Sequence, residues 1–195
     1  MSNYFMMEDQ LPYDDDVEGY IDIEDWKGDI KGFMGWRHGA LARDRPTGSV
    51  EIDVVPHDGY TGLPPDLHDH SVPLMSARLK SALDSAGVDN IVYLPVVLRN
   101  PETGQRYDYF AFNLIGLVSA TDFTKSNIKS PDGDFVGDSH IYDLKIDEGK
   151  TQNFLIFRLA EKFSAILVHR RVKEAIENQG INTLRFMEPE DYMAL

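Results

Sequence analysis

The sequence contains no cysteine among its 195 residues, which excludes a disulfide framework and a thiolate zinc site. It also has no apolar run of about 18 residues, the length that a membrane-spanning helix needs. Its first eleven residues include Glu8 and Asp9 instead of a basic stretch followed by an apolar one. We therefore expect no membrane span, no secretory signal and a cytoplasmic location.

Basic residues are scarce. The chain has 19 Lys and Arg against 33 Asp and Glu, a net charge of −14 and an isoelectric point near 4.7. Because the phosphate backbone is bound mainly through Lys and Arg, this balance argues against nucleic acid as a partner. It is compatible with a basic protein partner, since complementary fields steer association.

The sequence lacks the common catalytic motifs. It has no GxSxG elbow, no GxxxxGK[ST] phosphate loop, no GxGxxG turn and no HExxH pair. The glycine-rich stretch 28–39 carries Trp36, Arg37 and His38 where a phosphate loop would carry Lys-Ser/Thr. We expect a protein without enzymatic activity and without a cofactor.

The histidines leave two interpretations open. His57, His68 and His70 lie beside acidic residues in a loop-rich stretch, and imidazoles with neighbouring carboxylates can hold zinc or a similar cation. Two ligands separated by one residue in a loop are a weak pattern, so we favour solvated histidines and expect no metal site. A metal-dependent enzyme working through these histidines is the alternative.

Negative charge is concentrated near the start of the chain. Residues 8–29 contain ten acidic residues and one basic residue, Lys27, a net charge of −9 that leaves −5 for the rest. Aromatic and apolar residues are interleaved with the acids, unlike in a purely solvating tail. The run Asp14-Asp15-Asp16 could chelate Ca²⁺ or Mg²⁺, but it lacks the EF-hand pattern. We favour an acidic surface facing solvent or a partner.

The first half of the chain is divided by Gly and Pro into turns and loops. Residues 28–75 leave room for one alternating strand, residues 49–55. A helix follows, because Ser76 suits an N-cap, Leu79 and Leu83 share a helical face, and Gly87 suits the left-handed position that ends a helix.

The second half of the chain consists mainly of strand patterns. We expect a hairpin of residues 91–98 and 106–118 around the turn 100–104, a loop over 126–139, and strands over 141–146, 154–159, 165–168 and 183–187. A second helix covers 170–179 and stops at Gly180. The chain is therefore expected to be α+β, a single domain with a mainly antiparallel sheet and about two helices.

Two polar residues interrupt apolar strands. Arg158 lies between Phe157 and Leu159, and it either points to solvent by strand alternation or is buried and positions a carboxylate. Asn113, between Phe112 and Leu114, poses the same question, because a buried amide must find hydrogen-bond partners.

Short motifs across the second half recur in one order. They are Ser76-Ala77-Arg78-Leu79-Lys80, Gly87-Val88-Asp89-Asn90, Tyr107-Asp108-Tyr109, Phe112-Asn113-Leu114-Ile115-Gly116, Phe157-Arg158-Leu159, Val172-Lys173-Glu174-Ala175 and Leu184-Arg185-Phe186. In this order and spacing the series resembles the small bacterial immunity proteins encoded beside polymorphic toxins. The resemblance covers residues 74–187, the family-like core, and leaves residues 1–73 as a variable acidic and loop-rich part.

The resemblance implies an antitoxin that binds and silences one cognate secreted toxin, as in type VI secretion and bacterial competition, without catalysis. The expected partner is a toxin domain with a basic surface, and neither nucleic acid nor a membrane is expected. A self-associating adaptor that uses an exposed sheet edge is the alternative. The expected partner-binding residues are Tyr13, Asp14, Asp15, Asp16, Glu18, Tyr20, Asp22, Glu24, Asp25 and Trp26.

Overall fold

The structure is a computed structural model. It describes residues 2–9, 21–25, 33, 35–43, 45–46, 50–56, 63–70, 72–130, 133–135 and 137–194. The strands are β1 Tyr4–Asp9, β2 Ile21–Asp25, β3 Val50–Pro56, β4 Leu67–Asp69, β5 Pro73–Ser76, β6 Ile91–Arg99, β7 Arg106–Leu114, β8 Leu117–Val118, β9 Asn127–Lys129, β10 His140–Asp143, β11 Ile156–Leu159, β12 Lys162–His169 and β13 Leu184–Met187. The helices are α1 Ala77–Ala86 and α2 Arg170–Asn178, with 3₁₀ turns at Glu148–Lys150 and Pro189–Asp191.

The strands form two large sheets and a small one. One sheet has the order β13-β1-β12-β11-β8, the second has the order β2-β3-β6-β7-β5-β4, and β9 pairs with β10. Most neighbours are antiparallel, whereas β3–β6 and β8–β11 are parallel. The predicted α+β fold with a mainly antiparallel sheet and two helices is confirmed. In the part of the chain that the structure describes, no helix is long and apolar enough to cross a membrane.

The central core joins the two large sheets through both helices. It combines Phe5 of β1, Leu67 of β4, Leu83 of α1, Phe112 of β7 and Ile176 of α2, together with further apolar residues of both sheets. Strand alternation sends Tyr4 and Met6 to a second core on the other face of the five-stranded sheet. A third core, around Trp36, covers the other face of the six-stranded sheet.

The ends of α1 are defined by the residues that the sequence indicated, whereas His169, the N-cap of α2, was not predicted. The Ser76 side chain accepts a hydrogen bond from the Leu79 amide at the start of α1, and Gly87 ends the helix at φ 85°. The second helix starts at His169, whose ring accepts a hydrogen bond from the Arg171 amide. Local capping chemistry therefore accounts for these boundaries.

Several strands differ from the sequence prediction. β1 was not predicted, although it lies inside the five-stranded sheet between β12 and β13. β4 and β5 lie in a stretch interpreted as loop, and β9 lies in the predicted loop 126–139. β1 pairs with β12 and β13 far along the chain, and β5 pairs with β7, contacts that local propensity does not encode. β4 and β9 are three-residue strands that pair with the next strands, β5 and β10. The predicted strand 106–118 is interrupted after Leu114, where Gly116 adopts φ 138°.

Asn113 is buried and anchors the loop that precedes β3. Its Oδ1 accepts a hydrogen bond from the Ala42 amide at 2.9 Å, and its Nδ2 donates to the carbonyls of Trp36 and Ala40 at 3.0 Å each. The loop approaches β8 closely at Gly39, whose carbonyl accepts from the Gly116 amide at 2.7 Å. The Asn113 side chain is therefore buried, and both its oxygen and its nitrogen have hydrogen-bond partners.

Gly39 provides a test of this close approach. An alanine Cβ at Gly39 would lie 2.8 Å from Leu117 Cβ, whereas one at Gly180, which has the same φ of 69°, would meet nothing within 4 Å. We expect Gly180→Ala to lower the free energy of unfolding by about 1 kcal/mol. Gly39→Ala should lower it by a further ~1–3 kcal/mol because of the overlap with backbone and side chain. Urea denaturation of the two variants measures the difference, and equal losses would contradict the packing described.

Candidate functional site

The expected partner-binding residues are only partly within the described chain. Asp22, Glu24 and Asp25 belong to β2. The other seven, Tyr13, Asp14, Asp15, Asp16, Glu18, Tyr20 and Trp26, lie outside the described residues. Their assignment as partner-binding residues stays a prediction.

The acidic strand β2 occupies the edge of the six-stranded sheet. Among the described strands it pairs only with β3, with Asp22 opposite Val55 and Asp25 opposite Asp53. An edge strand presents backbone N–H and C=O groups that another chain can pair with, and acidic residues on it oppose pairing with a like-charged copy. The edge is therefore a candidate interaction surface.

The acids of the neighbouring strand β3 are neutralised within the protein. Glu51 forms ion pairs with two arginines, with Oε1 3.3 Å from Arg99 Nη1 and Oε2 2.7 Å from Arg106 Nη2. Asp53, which is buried, binds Arg99 through both carboxylate oxygens at 2.8 and 3.0 Å. The basic residues at the end of the β6–β7 hairpin are thus engaged with β3.

A buried ion pair connects the two large sheets. The guanidinium of Arg158 in β11 donates to both oxygens of Asp69 at the end of β4, at 2.8 and 2.6 Å, and donates again to the Phe163 carbonyl at 3.0 Å. Arg158 is fully buried and Asp69 is 8% exposed. The Arg158 side chain is therefore buried and positions a carboxylate, as one of the two sequence interpretations proposed.

Strand alternation explains why these two groups meet. Arg158 follows Ile156 by two residues, and Ile156 belongs to the central core. Asp69 likewise follows Leu67, a member of the same core. Residues two apart in a strand share a face, so both charged groups point to the same side of their sheets as the core residues. A bidentate guanidinium–carboxylate pair satisfies charges that burial would otherwise leave unpaired.

Asp69 of the ion pair lines an open cleft of about 340 Å³. Arg37 reaches Asp69 there, with Nε 3.5 Å from Oδ1. Asp9, Ser164 and Tyr192 line the same cleft. Burial raises the pKa of the Tyr192 phenol to about 12, with the Glu8 carboxylate adding to the shift. The cleft thus combines carboxylates, the Arg37 guanidinium and a protonated phenol.

Asp9 and His70 form a second ion pair at the edge of the cleft, with Oδ2 and Nε2 3.1 Å apart. The hydrogen bond that protonated His70 donates to Asp9 raises the pKa of His70 against the opposing effect of burial, with Arg37 lowering it and Asp69 raising it. Burial would raise the pKa of Asp9, but the His70 hydrogen bond and the nearby His68 charge outweigh it and lower that pKa.

The structure gathers two of the three loop histidines. The ligand atoms of His68, His70 and Asp9 all lie within 4.8 Å of one another, and the two imidazole rings are 4.6 Å apart between centroids. His57 lies outside the described residues. The sequence indicated the two histidines, but not Asp9 as their third neighbour, because that neighbour comes from a strand about 60 residues away that local patterns did not predict.

Two further buried carboxylates were missed in the sequence. Asp66 accepts hydrogen bonds from Arg78 Nε at 2.6 Å and from the hydroxyls of Thr183, at 2.6 Å, and Ser76. Glu161 accepts hydrogen bonds from the hydroxyls of Ser119 and of Thr121, the latter at 3.0 Å. Neither acid stands in a motif, and their partners are distant in sequence, so the sequence carried no signal for them.

Comparison with known proteins assigns the family. The chain belongs to the Immunity protein family (Imm11), which it matches over residues 31–191. This confirms the resemblance seen in the second half of the chain and extends the match toward the N-terminus. Membership indicates a role in toxin immunity and a toxin as the partner. No curated protein matches the chain significantly.

The Arg158–Asp69 pair yields a stability prediction. Arg158→Met should lower the free energy of unfolding by about 3–5 kcal/mol, because it leaves Asp69 buried without its partner. Arg106→Met, which removes a more exposed contact to Glu51, should cost only ~0–1 kcal/mol. Urea denaturation measures both free energies of unfolding.

The double variant Arg158→Met/Asp69→Leu should be more stable than Arg158→Met alone. Equal stability of the two Met single variants would argue against the pair as a main connection.

The Asp9–His70 pair yields a pH prediction. The raised pKa of His70 stabilises the fold fully below about pH 6.5, its ordinary value, and the lowered pKa of Asp9 stabilises it above about pH 3.8. His70→Ala should therefore be less stable than the natural chain between these values, by under about 1 kcal/mol because the pair is partly exposed. The difference should shrink as the pH rises through the folded pKa of His70. Thermal unfolding across pH checks this, with Asp9→Asn expected to remove the same increment.

Proposed function

We propose that this protein is an immunity protein that binds one cognate antibacterial toxin directly and blocks it without catalysis. The observation that carries the proposal is the match to the immunity family over residues 31–191. The protein acts in the cytoplasm of the producing bacterium, where it neutralises a toxin delivered between competing cells, for example by type VI secretion.

The contact surface in this proposal is the acidic segment from Glu8 to Trp26, which includes the edge strand β2. The segment 8–29 has a net charge of −9, and the acids of the adjacent strand β3 already have arginine partners. Such an excess of negative charge would attract a basic toxin surface and accelerate association. Tyr13, Tyr20 and Trp26 would supply the aromatic anchors that dominate binding energy in such interfaces.

The position of β2 at a sheet edge supports this choice of surface. A toxin segment could add to the edge as a further strand, in which case backbone hydrogen bonds supply affinity and neighbouring side chains supply selectivity. The same edge is the observation that favours the alternative, a self-associating adaptor. Like-charged residues facing each other would weaken a β2–β2 pair, so the acidic edge supports a basic partner over a second copy.

Co-expression tests the proposal. The secreted protein encoded next to this one is expressed in a sensitive bacterium with and without this chain, and the pair is then purified together. We expect toxicity that this chain relieves and a stable complex between the two proteins. A toxic neighbour that this chain neither relieves nor binds would overturn the proposal, and a stable homo-oligomer of this chain would then support the adaptor.

Charge reversal tests the proposed surface. Asp14/Asp15/Asp16→Lys should weaken toxin binding by at least about tenfold and reduce protection, because three favourable charges become repulsive. The control Glu102/Asp108/Glu174→Lys changes the net charge equally at exposed positions of the turn after β6, β7 and α2. We expect the control to bind normally. Titration calorimetry or surface plasmon resonance at low and high salt gives both affinities, and normal binding by the first variant would refute this assignment.

A further inference from the structure

Three potential metal ligands converge where the two large sheets approach each other. His68 lies in β4, His70 follows that strand directly, and Asp9 ends β1. Asp9 Oδ2 and His70 Nε2 are 3.1 Å apart, and one ligand atom from each of the three residues lies within 4.8 Å of the other two. The arrangement therefore combines two imidazoles and one carboxylate in a single small volume.

The order of residues around Asp69 accounts for this convergence. Side chains two residues apart on an extended chain project to the same side, which brings the rings of His68 and His70 to 4.6 Å between centroids. The residue between them, Asp69, is held by the buried Arg158 through two hydrogen bonds. These two hydrogen bonds hold the backbone segment that carries both histidines. Pairing of β1 with β12 and β13 fixes the position of Asp9 from the other side.

We propose that Asp9, His68 and His70 form a binding site for one divalent transition-metal ion of the zinc class. Neighbouring ligand atoms around a tetrahedral ion with bonds of ~2.0–2.1 Å lie about 3.3 Å apart. The Asp9–His70 separation of 3.1 Å already matches that spacing. The widest separation allowed by the 4.8 Å limit needs a side-chain movement of about 1.5 Å, and the His70 side chain is about half exposed.

The surroundings provide for the rest of the coordination sphere and for its charge. The cleft beside Asp9 and His70 opens to solvent, so a water molecule can occupy a fourth position. Arg37, a cation that lines the same cleft, pairs with Asp69, with Nε 3.5 Å from Oδ1. Two imidazole nitrogens with one carboxylate oxygen favour Zn²⁺, Ni²⁺ or Cu²⁺. Mg²⁺ and Ca²⁺ prefer sites composed of oxygen ligands.

A bound ion would join the two large sheets a second time. Asp9 belongs to the five-stranded sheet, and His68 belongs to the six-stranded sheet. The nearby ion pair joins the same two sheets, with Arg158 in the five-stranded sheet and Asp69 in the six-stranded sheet. The ion would therefore stabilise the folded chain by binding it and not the unfolded chain. This inference does not depend on toxin binding, because it rests on the ligand geometry alone.

Metal titration of the purified full chain tests the site. The protein is stripped with EDTA, dialysed and titrated with ZnCl₂ by calorimetry, with MgCl₂ as the comparison ion. We expect one zinc ion per chain at micromolar or tighter affinity and no saturable binding of magnesium. At a zinc concentration of about 100 times the dissociation constant, the ratio of folded to unfolded protein should rise about 100-fold, seen as a higher thermal midpoint. An absence of saturable 1:1 zinc binding would overturn the proposal.

Substitutions then locate the ligands. His68→Ala and His70→Ala should each weaken zinc binding by at least about 10–100-fold, the loss known for residues that only support a metal ligand. His140→Ala, a histidine of β10, should bind zinc like the natural chain. Thermal unfolding in EDTA establishes that each variant is folded. Visible absorption of the natural chain with Co²⁺ adds a measurement that needs no variant, because a tetrahedral site gives strong bands. Binding unchanged by both histidine substitutions, or a weak octahedral Co²⁺ spectrum, would refute the site.

Discussion

The buried Arg158–Asp69 pair is the constraint on which the arrangement of the two sheets depends. A guanidinium that is fully buried requires a carboxylate in a fixed place, and here that carboxylate comes from the other sheet. Satisfying the pair places the end of β4 against β11 and, through the sheet order, beside β1. The cleft with Arg37 and the approach of Asp9 to His70 follow from that placement. Apolar packing around both helices supplies most of the stabilisation, whereas the ion pair is a specific polar connection between the two sheets.

Several acidic residues of the described chain are engaged within the fold. Asp66, Asp69, Asp53 and Glu51 each have an arginine within hydrogen-bond or ion-pair distance, and Glu161 has two hydroxyl donors. These acids hold elements together. Residues 8–29 carry −9 of the net charge of −14 and contain one basic residue. Because a surplus of one sign is unfavourable for a compact chain and favourable for meeting an opposite surface, its concentration in one segment supports the proposed interface.

Features governed by local chemistry were predictable from the sequence, and features governed by distant pairing were not. The Ser76 and Gly87 caps, the β6–β7 hairpin and the second helix follow from turn and capping residues. β1 pairs with β12 and β13 near the other end of the chain, so its sequence alone did not indicate a strand. β9 is a three-residue strand in a polar stretch that was interpreted as a loop. For the site, the sequence indicated Arg158 and the two histidines as unusual residues. The sequence could not identify Asp69 as the partner of Arg158, or Asp9 as the neighbour of His68 and His70, because only the fold brings these residues together.

The N-terminal segment is connected to the fold on both sides. The family match begins at residue 31, yet β1 before it is an interior strand whose Phe5 and Met6 enter two different cores. β2 then pairs with β3 at the edge of the other large sheet. The acidic residues 14–16 therefore lie between two anchored strands, one in each sheet. In the proposed function, residues before the family match would contribute selectivity, while the matched residues supply the scaffold.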